Sequence, residues 1–184
     1  SVWKKHPHTT CVAGVYGKPP PYDLINASTE VFIVDFSYPN EVLYKLASIA
    51  DEVTVIDHHK TFFEQFPISY VENLHIVFDQ ERSGCALTWD YLTENDPIQR
   101  FVPDLLLYIQ DSDLWRFNYS ETKDIILALR SYPQDFEVWD SLNWTYLEKE
   151  GKAISRYYYR KLQEQLSNAL PLTICGVKGK VVNA

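Results

Sequence analysis

The stretch VTVIDHHK, residues 53–60, sets four apolar or β-branched residues directly before an acid and two histidines. A continuous run of that kind predicts a strand buried on both faces, as in a parallel sheet. Upstream, VFIVDFS (31–37) repeats the arrangement, with Asp35 after four apolar residues. Ligands of open α/β sheets lie beyond the carboxyl ends of the strands. Two strands ending in this way would therefore bring Asp35 and the group Asp57, His58 and His59 to one crevice.

Working outward, PNEVLYKLASIA (39–50) carries Val42, Leu43, Leu46, Ile49 and Ala50 at helical spacing, with Pro39 suited to a first turn. LHIVF (74–78) predicts a third strand, and SGCALTWDYL (83–92) after it sets Ala86, Leu87, Tyr91 and Leu92 on one helix face. CVAGVY (11–16) reads as a further strand before the loop GKPPPYD. Past the polar break TENDP, VPDLLLYIQDSDLW (102–115) predicts a helix running into a turn near Asp111. A long helix follows from about Thr145 to Ala169, with Leu147, Ile154, Tyr157, Tyr158, Leu162 and Leu166 on its apolar side. After Pro171, TICGVKGKVVNA predicts a hairpin turning at Lys178-Gly179. The expected fold is α/β, a mainly parallel sheet flanked by helices over residues 1–144. A linker helix over 145–170 and the start of a second, substrate-binding domain over 171–184 complete it.

The 184 residues, 46% hydrophobic and 23% charged, suit one domain and the edge of another. No apolar run reaches bilayer length and SVWKKHPHTT lacks the apolar core of a signal peptide, so a cytoplasmic protein without a membrane partner is expected. Cys11, Cys85 and Cys175 are scattered and odd in number, which argues against a disulfide framework or a thiolate zinc site. A net charge of -8 disfavours long duplex DNA, whose binding rests on many Lys and Arg contacts to phosphate. A small anion held through bound cations remains compatible with that charge. The chain has no methionine and opens in the helix-like SVWKK, so a piece of a longer protein is expected.

Carboxylate and imidazole donors without thiolates suit manganese or magnesium, and zinc as well. Asp111-Ser112-Asp113 offers further carboxylates. VTVIDHHK, preceded by VFIVDFS and followed by YIQDSDLW, resembles the signature of the DHH phosphoesterase superfamily, in the branch with small-RNA nucleases and cyclic-nucleotide phosphodiesterases. ERSGCALTWDYL (81–92) is similar to the helix that follows that signature. The resemblance implies Mn²⁺, with Mg²⁺ or Co²⁺ as substitutes, in a two-ion site. It implies Asp35, His58 and Asp111 as metal ligands, Asp35 bridging the ions and Asp111 sharing the ion of His58. His59 would touch the substrate phosphate and Asp57 would orient the histidine pair.

The implied activity is hydrolysis of phosphodiester bonds in short oligonucleotides or cyclic nucleotides by a metal-activated water, in a protein that can be a homo-oligomer. Exopolyphosphatase or inorganic pyrophosphatase activity shares that metal chemistry. A non-catalytic nucleotide-binding protein with a relic site is the alternative of another class. The family's first motif, an early strand ending in His and two Asp, is absent and would fall before Ser1; His6 and His8 do not replace it. Most of the second domain is also missing from the chain, so the chain alone is expected to be weakly active or inactive.

Taken singly, several of these residues have plainer roles. A lone Asp after a strand is commonly a cap or turn residue, which applies to Asp35. Asp113 is balanced between a place behind the ligands and a turn. His75 suits an edge strand. Trp89, Tyr91, Tyr108 and Trp115 are candidates for stacking on a base, although aromatics at helical spacing are usually core. Arg82, Arg116 and Arg130 suit either phosphate or solvent. The charges of EKEGK and RYYYRKLQEQ suit a solvated helix face.

Overall fold

The computed structural model describes residues 2–64, 70–94 and 102–182, and the chain divides into two compact units, residues 1–116 and 117–184. The first unit runs α1 (Val2–Lys5), β1 (Glu30–Val34), α2 (Asn40–Ile49), β2 (Glu52–Asp57), α3 (Lys60–Phe63), β3 (Leu74–Phe78), α4 (Gly84–Thr93) and α5 (Asp104–Asp113). The second holds α6 (Thr122–Leu129), α7 (Phe136–Ser141), α8 (Trp144–Ser167), β4 (Leu170–Ile174) and β5 (Val177–Val181).

The three strands of the first unit pair in parallel in the order β1-β2-β3, with Val34 opposite Ile56 and Asp57 opposite Phe78. The expected mainly parallel sheet flanked by helices is thus present. The central strand β2 is buried from Val53 to Asp57, which is why its sequence reads as one apolar run rather than an alternation. Leu43, Leu46 and Ala47 of α2 pack with Ile33, Val53, Val55 and Phe62 in one core cluster. Each fully buried aliphatic side chain there contributes about 1.5–3 kcal/mol by leaving water.

The carboxyl end of α2 is closed by a side chain rather than a glycine. Asn73 Nδ2 donates to the carbonyls of Ala47, Ala50 and Asp51 at 2.9, 3.2 and 3.0 Å, tying the helix end to the entry of β3.

Four sequence expectations need correction. Cys11–Tyr16 forms no strand: the exposed segment lies over Phe36, with the Tyr16 and Phe36 rings 4.7 Å apart and Gly14 against the Phe36 ring. Aromatic packing, not a hydrogen-bonded ladder, holds it. The turn expected near Asp111 comes after Asp113, because α5 continues to that residue. Its end is a Schellman arrangement in which Trp115 N–H donates to Ser112 O (3.1 Å) and Arg116 N–H to Asp111 O (3.0 Å), with Trp115 in the left-handed region at φ 54°.

In the second unit, α8 buries Leu147, Gly151 and Ser155, while Tyr157, Tyr158 and Leu166 are exposed. Small residues win that face because α6 approaches so closely that a Cβ on Gly151 would overlap the Asp124 carbonyl. Ser155 Oγ also bonds the Asp124 carboxylate. The hairpin turns at Cys175-Gly176, not Lys178-Gly179: φ is 49° and 82° at these two residues, and Ile174 pairs with Val177 across them. A two-residue hairpin loop of type I′ has positive φ at both central positions, and Gly176 meets that need without strain. Gly179 instead faces Leu172 within the ladder.

Among the described residues no helix is long and apolar enough to cross a membrane.

Candidate metal centre

The sheet register builds the site. Asp35 N–H donates to Ile56 O at 2.9 Å, extending the β1-β2 ladder by one residue, after which the Asp35 backbone turns to φ 54°. A non-glycine residue in this region is uncommon, and Asp is among those that tolerate it best. The turn brings Asp35 Oδ1 to 3.1 Å from His58 Nε2. From the far end of α5, Asp113 Oδ2 reaches the same nitrogen at 3.4 Å. His58 Nε2 is buried and yet makes no hydrogen bond, although carboxylate oxygens flank it. Unpaired buried polar atoms are rare, and a nitrogen facing two carboxylates without an aligned hydrogen bond to either suits a site that holds a cation. One ligand atom each from Asp35, His58 and His59 lies within 4.8 Å of the others.

Asp57 holds the histidine pair in place. Its side chain is only 1% exposed, and its Oδ1 accepts from the backbone N–H of His58 (2.8 Å) and His59 (3.2 Å) and lies 2.7 Å from His59 Nδ1. A buried carboxylate needs such compensation, and the three contacts together set the path of the chain leaving β2. With Nδ1 given to Asp57, His59 keeps Nε2 for a ligand. The two imidazole rings are 4.5 Å apart and tilted by 51°.

The electrostatics follow from two carboxylates meeting beside imidazoles. Burial and then the charge of Asp113 push the Asp35 carboxyl above its usual range, with His58 and His59 pulling the other way. Burial opposes protonation of His59, but the hydrogen bond and charge of Asp57, with Asp35 and Asp113 behind them, outweigh it and raise the ring above its ordinary value. A divalent cation would relieve the repulsion between Asp35 and Asp113.

The loop before α4 is tied to α5 at two points. Ser83 N–H donates to Gln110 Oε1 at 3.2 Å, and Arg116 Nη2 donates to Glu81 O (2.9 Å) and pairs with Glu81 Oε2 (2.8 Å). Ser83 caps α4, its Oγ accepting from Ala86 N–H and lying 3.2 Å from Cys85 Sγ. Burial, relieved in part by Ser83, raises the Cys85 thiol above its ordinary value, and Asp113 and Asp35 add to the rise. Arg82 pairs with Asp90 at 2.6 Å and His75 with Glu52 at 3.4 Å, which gives both structural partners.

Of the residues expected from sequence, Asp35, His58 and His59 come together and Asp57 supports them. From α5, Asp113 lies against His58, while Asp111 is buried within the helix at 3% exposure. Residues two apart on a helix differ by about 200° in direction, so Asp111 and Asp113 leave α5 on different faces. Asp111 continues the stripe of Leu107, Tyr108 and Leu114, whereas Asp113 lies off it.

Comparison with curated proteins finds similarity to an uncharacterized protein of Acanthamoeba polyphaga mimivirus, 32% identical over 120 residues, or 65% of this chain and 26% of the relative. The chain therefore spans about a quarter of the length of that curated relative. No protein-family model matches the chain. No solved structure matches it.

Proposed function

We propose that this chain carries part of the catalytic site of a manganese-dependent DHH-type phosphoesterase acting on phosphodiester bonds of short oligonucleotides or cyclic nucleotides. The observation that carries the reading is the unbonded, buried Nε2 of His58 between the carboxylates of Asp35 and Asp113. Those three residues would hold Mn²⁺, with Asp113 taking the place first given to Asp111. When bound, the metal would supply Lewis-acid stabilisation of phosphoryl oxygens and a water of lowered pKa.

The protein's own groups do the rest. Asp57 locks His59 through Nδ1, so that Nε2 is presented to a phosphoryl oxygen in a fixed direction. The raised basicity of His59 favours the protonated ring, which can donate a hydrogen bond as charge builds on that oxygen. Asp35 is half-exposed and so open to an approaching ligand.

Trp115 supports a nucleotide over polyphosphate. It occupies the position of the Schellman turn that glycine usually fills, in left-handed backbone, and is 82% exposed two residues beyond Asp113. An exposed indole retained at a strained position next to a ligand is suited to stacking on a base. The test is turnover of dinucleotides, cyclic nucleotides and polyphosphate with Mn²⁺, beside His58→Ala. Mn²⁺-dependent release from dinucleotides or cyclic nucleotides, lost in His58→Ala, supports the reading. Preference for polyphosphate moves the substrate to the exopolyphosphatase type, and release that is indifferent to His58 refutes the site.

A further inference from the structure

We infer that Gly84, which no chemistry singles out, is a positioning residue of the centre: its lack of a side chain gives the Asp35 carboxylate the space from which it reaches His58. The inference rests on the metal reading above. A Cβ built on Gly84 would lie 2.3 Å from Asp35 Oδ1, 2.5 Å from its Cγ and 2.6 Å from its Cβ, and these are the three nearest atoms. Contacts under 3.0 Å do not occur at real Cβ atoms, and ordinary contact begins near 3.4 Å. One of the two partners must therefore move by about 1 Å if any side chain is placed at residue 84.

Which partner yields follows from how each is held. Gly84 begins α4 and is buried, and it stands between the N-cap Ser83, 1% exposed and bonded to Gln110, and the fully buried Ala86. The helix start is thus fixed from behind. The Asp35 side chain is half-exposed and ends a strand, so it gives way, and because its Cβ also lies 2.6 Å from the added methyl the strand end shifts with the carboxylate. Its Oδ1, the atom nearest the added methyl, is also the atom 3.1 Å from His58 Nε2. A ligand oxygen displaced by about 1 Å is far outside the roughly 0.2 Å tolerance of metal-ligand distances. The first turn of α4 is moreover the helix end at which a carboxylate is favoured, so Gly84 lets Asp35 use that field at close range.

Gly84 has no positive φ, so alanine there meets no backbone strain and the steric effect can be read by itself. The experiment is a four-member cycle of the parent chain, Gly84→Ala, Asp35→Gly and the double variant, each melted without metal and titrated with Mn²⁺ by calorimetry. Gly84→Ala is expected to weaken Mn²⁺ binding by about 10–100-fold, the range for residues that orient ligands. In the Asp35→Gly background, where the overlapping atoms are gone, it should not lower Tm.

Mn²⁺ affinity in Gly84→Ala equal to the parent's overturns the inference, as does an equal loss of Tm from Gly84→Ala in both backgrounds, which would mark general damage to α4. Equal Mn²⁺ binding by the parent and Asp35→Gly overturns the metal reading instead. The metal-free melts still report, in that case, whether residues 84 and 35 are sterically coupled.

Discussion

Replacing Asp35 with glycine should leave the metal-free protein as stable as before or more so, while removing its response to divalent cations. The backbone at Asp35 has φ 54°, a conformation that glycine adopts freely and that costs a non-glycine residue about 1 kcal/mol or more. Asp tolerates this region better than most residues, so the lower figure applies. Glycine gives back about 0.5–1 kcal/mol through the greater freedom of the unfolded chain. The substitution also removes a carboxylate whose ionisation burial and Asp113 oppose. The sum lies between zero and about 1 kcal/mol in favour of the variant, or a Tm rise of up to about 2–4 °C for a chain of this size. Mn²⁺ at a hundredfold excess over its Kd should stabilise the parent by about 2.7 kcal/mol, or roughly 5–10 °C, and the variant by almost nothing. Thermal melts with and without Mn²⁺ measure both quantities. A metal-free Tm lowered by more than about 5 °C, with the Mn²⁺ shift intact, would refute the view of Asp35 as a strained residue kept for a ligand.

The two acids of α5 should separate cleanly. Asp113→Asn is expected to weaken Mn²⁺ binding about 10-fold or more with little change in Tm, whereas Asp111→Ala, at a buried position, should lower Tm by several degrees; calorimetric titration and melting decide, and the reverse pattern would return the ligand role to Asp111. Trp115→Gly relieves a left-handed backbone and should raise Tm by about 1–4 °C, yet raise KM for a dinucleotide severalfold without changing KM for polyphosphate. Equal effects on both substrates would exclude stacking on a base. Burial and the nearby acids hold the Cys85 thiol above its ordinary pKa, and Cys85 is partly shielded whereas Cys11 and Cys175 are exposed. Mass spectrometry after brief iodoacetamide treatment should find Cys85 modified last, and its modification first would contradict its placement.

The sequence by itself determined the three parallel strands and the first half of the site. Burial on both faces leaves a continuous apolar run in Val53–Ile56, and a polar residue ending such a run has to emerge at the sheet's carboxyl edge, so Asp35, His58 and His59 were legible as one group. Helix α4 was legible for a similar reason, since its cap and its apolar positions are local features. Tertiary structure alone decided what depends on contact between distant segments. Whether Asp111 or Asp113 faces His58 is set by the rotation of α5 against its neighbours. The fate of Cys11–Tyr16 turned on the Phe36 ring rather than on β propensity, and the buried face of α8 on the close approach of α6 at Gly151. Gly84 shows the same division most clearly, because an absent side chain leaves no pattern along a sequence. Its value exists only where another part of the chain occupies the space, and here that occupant is the carboxylate of Asp35.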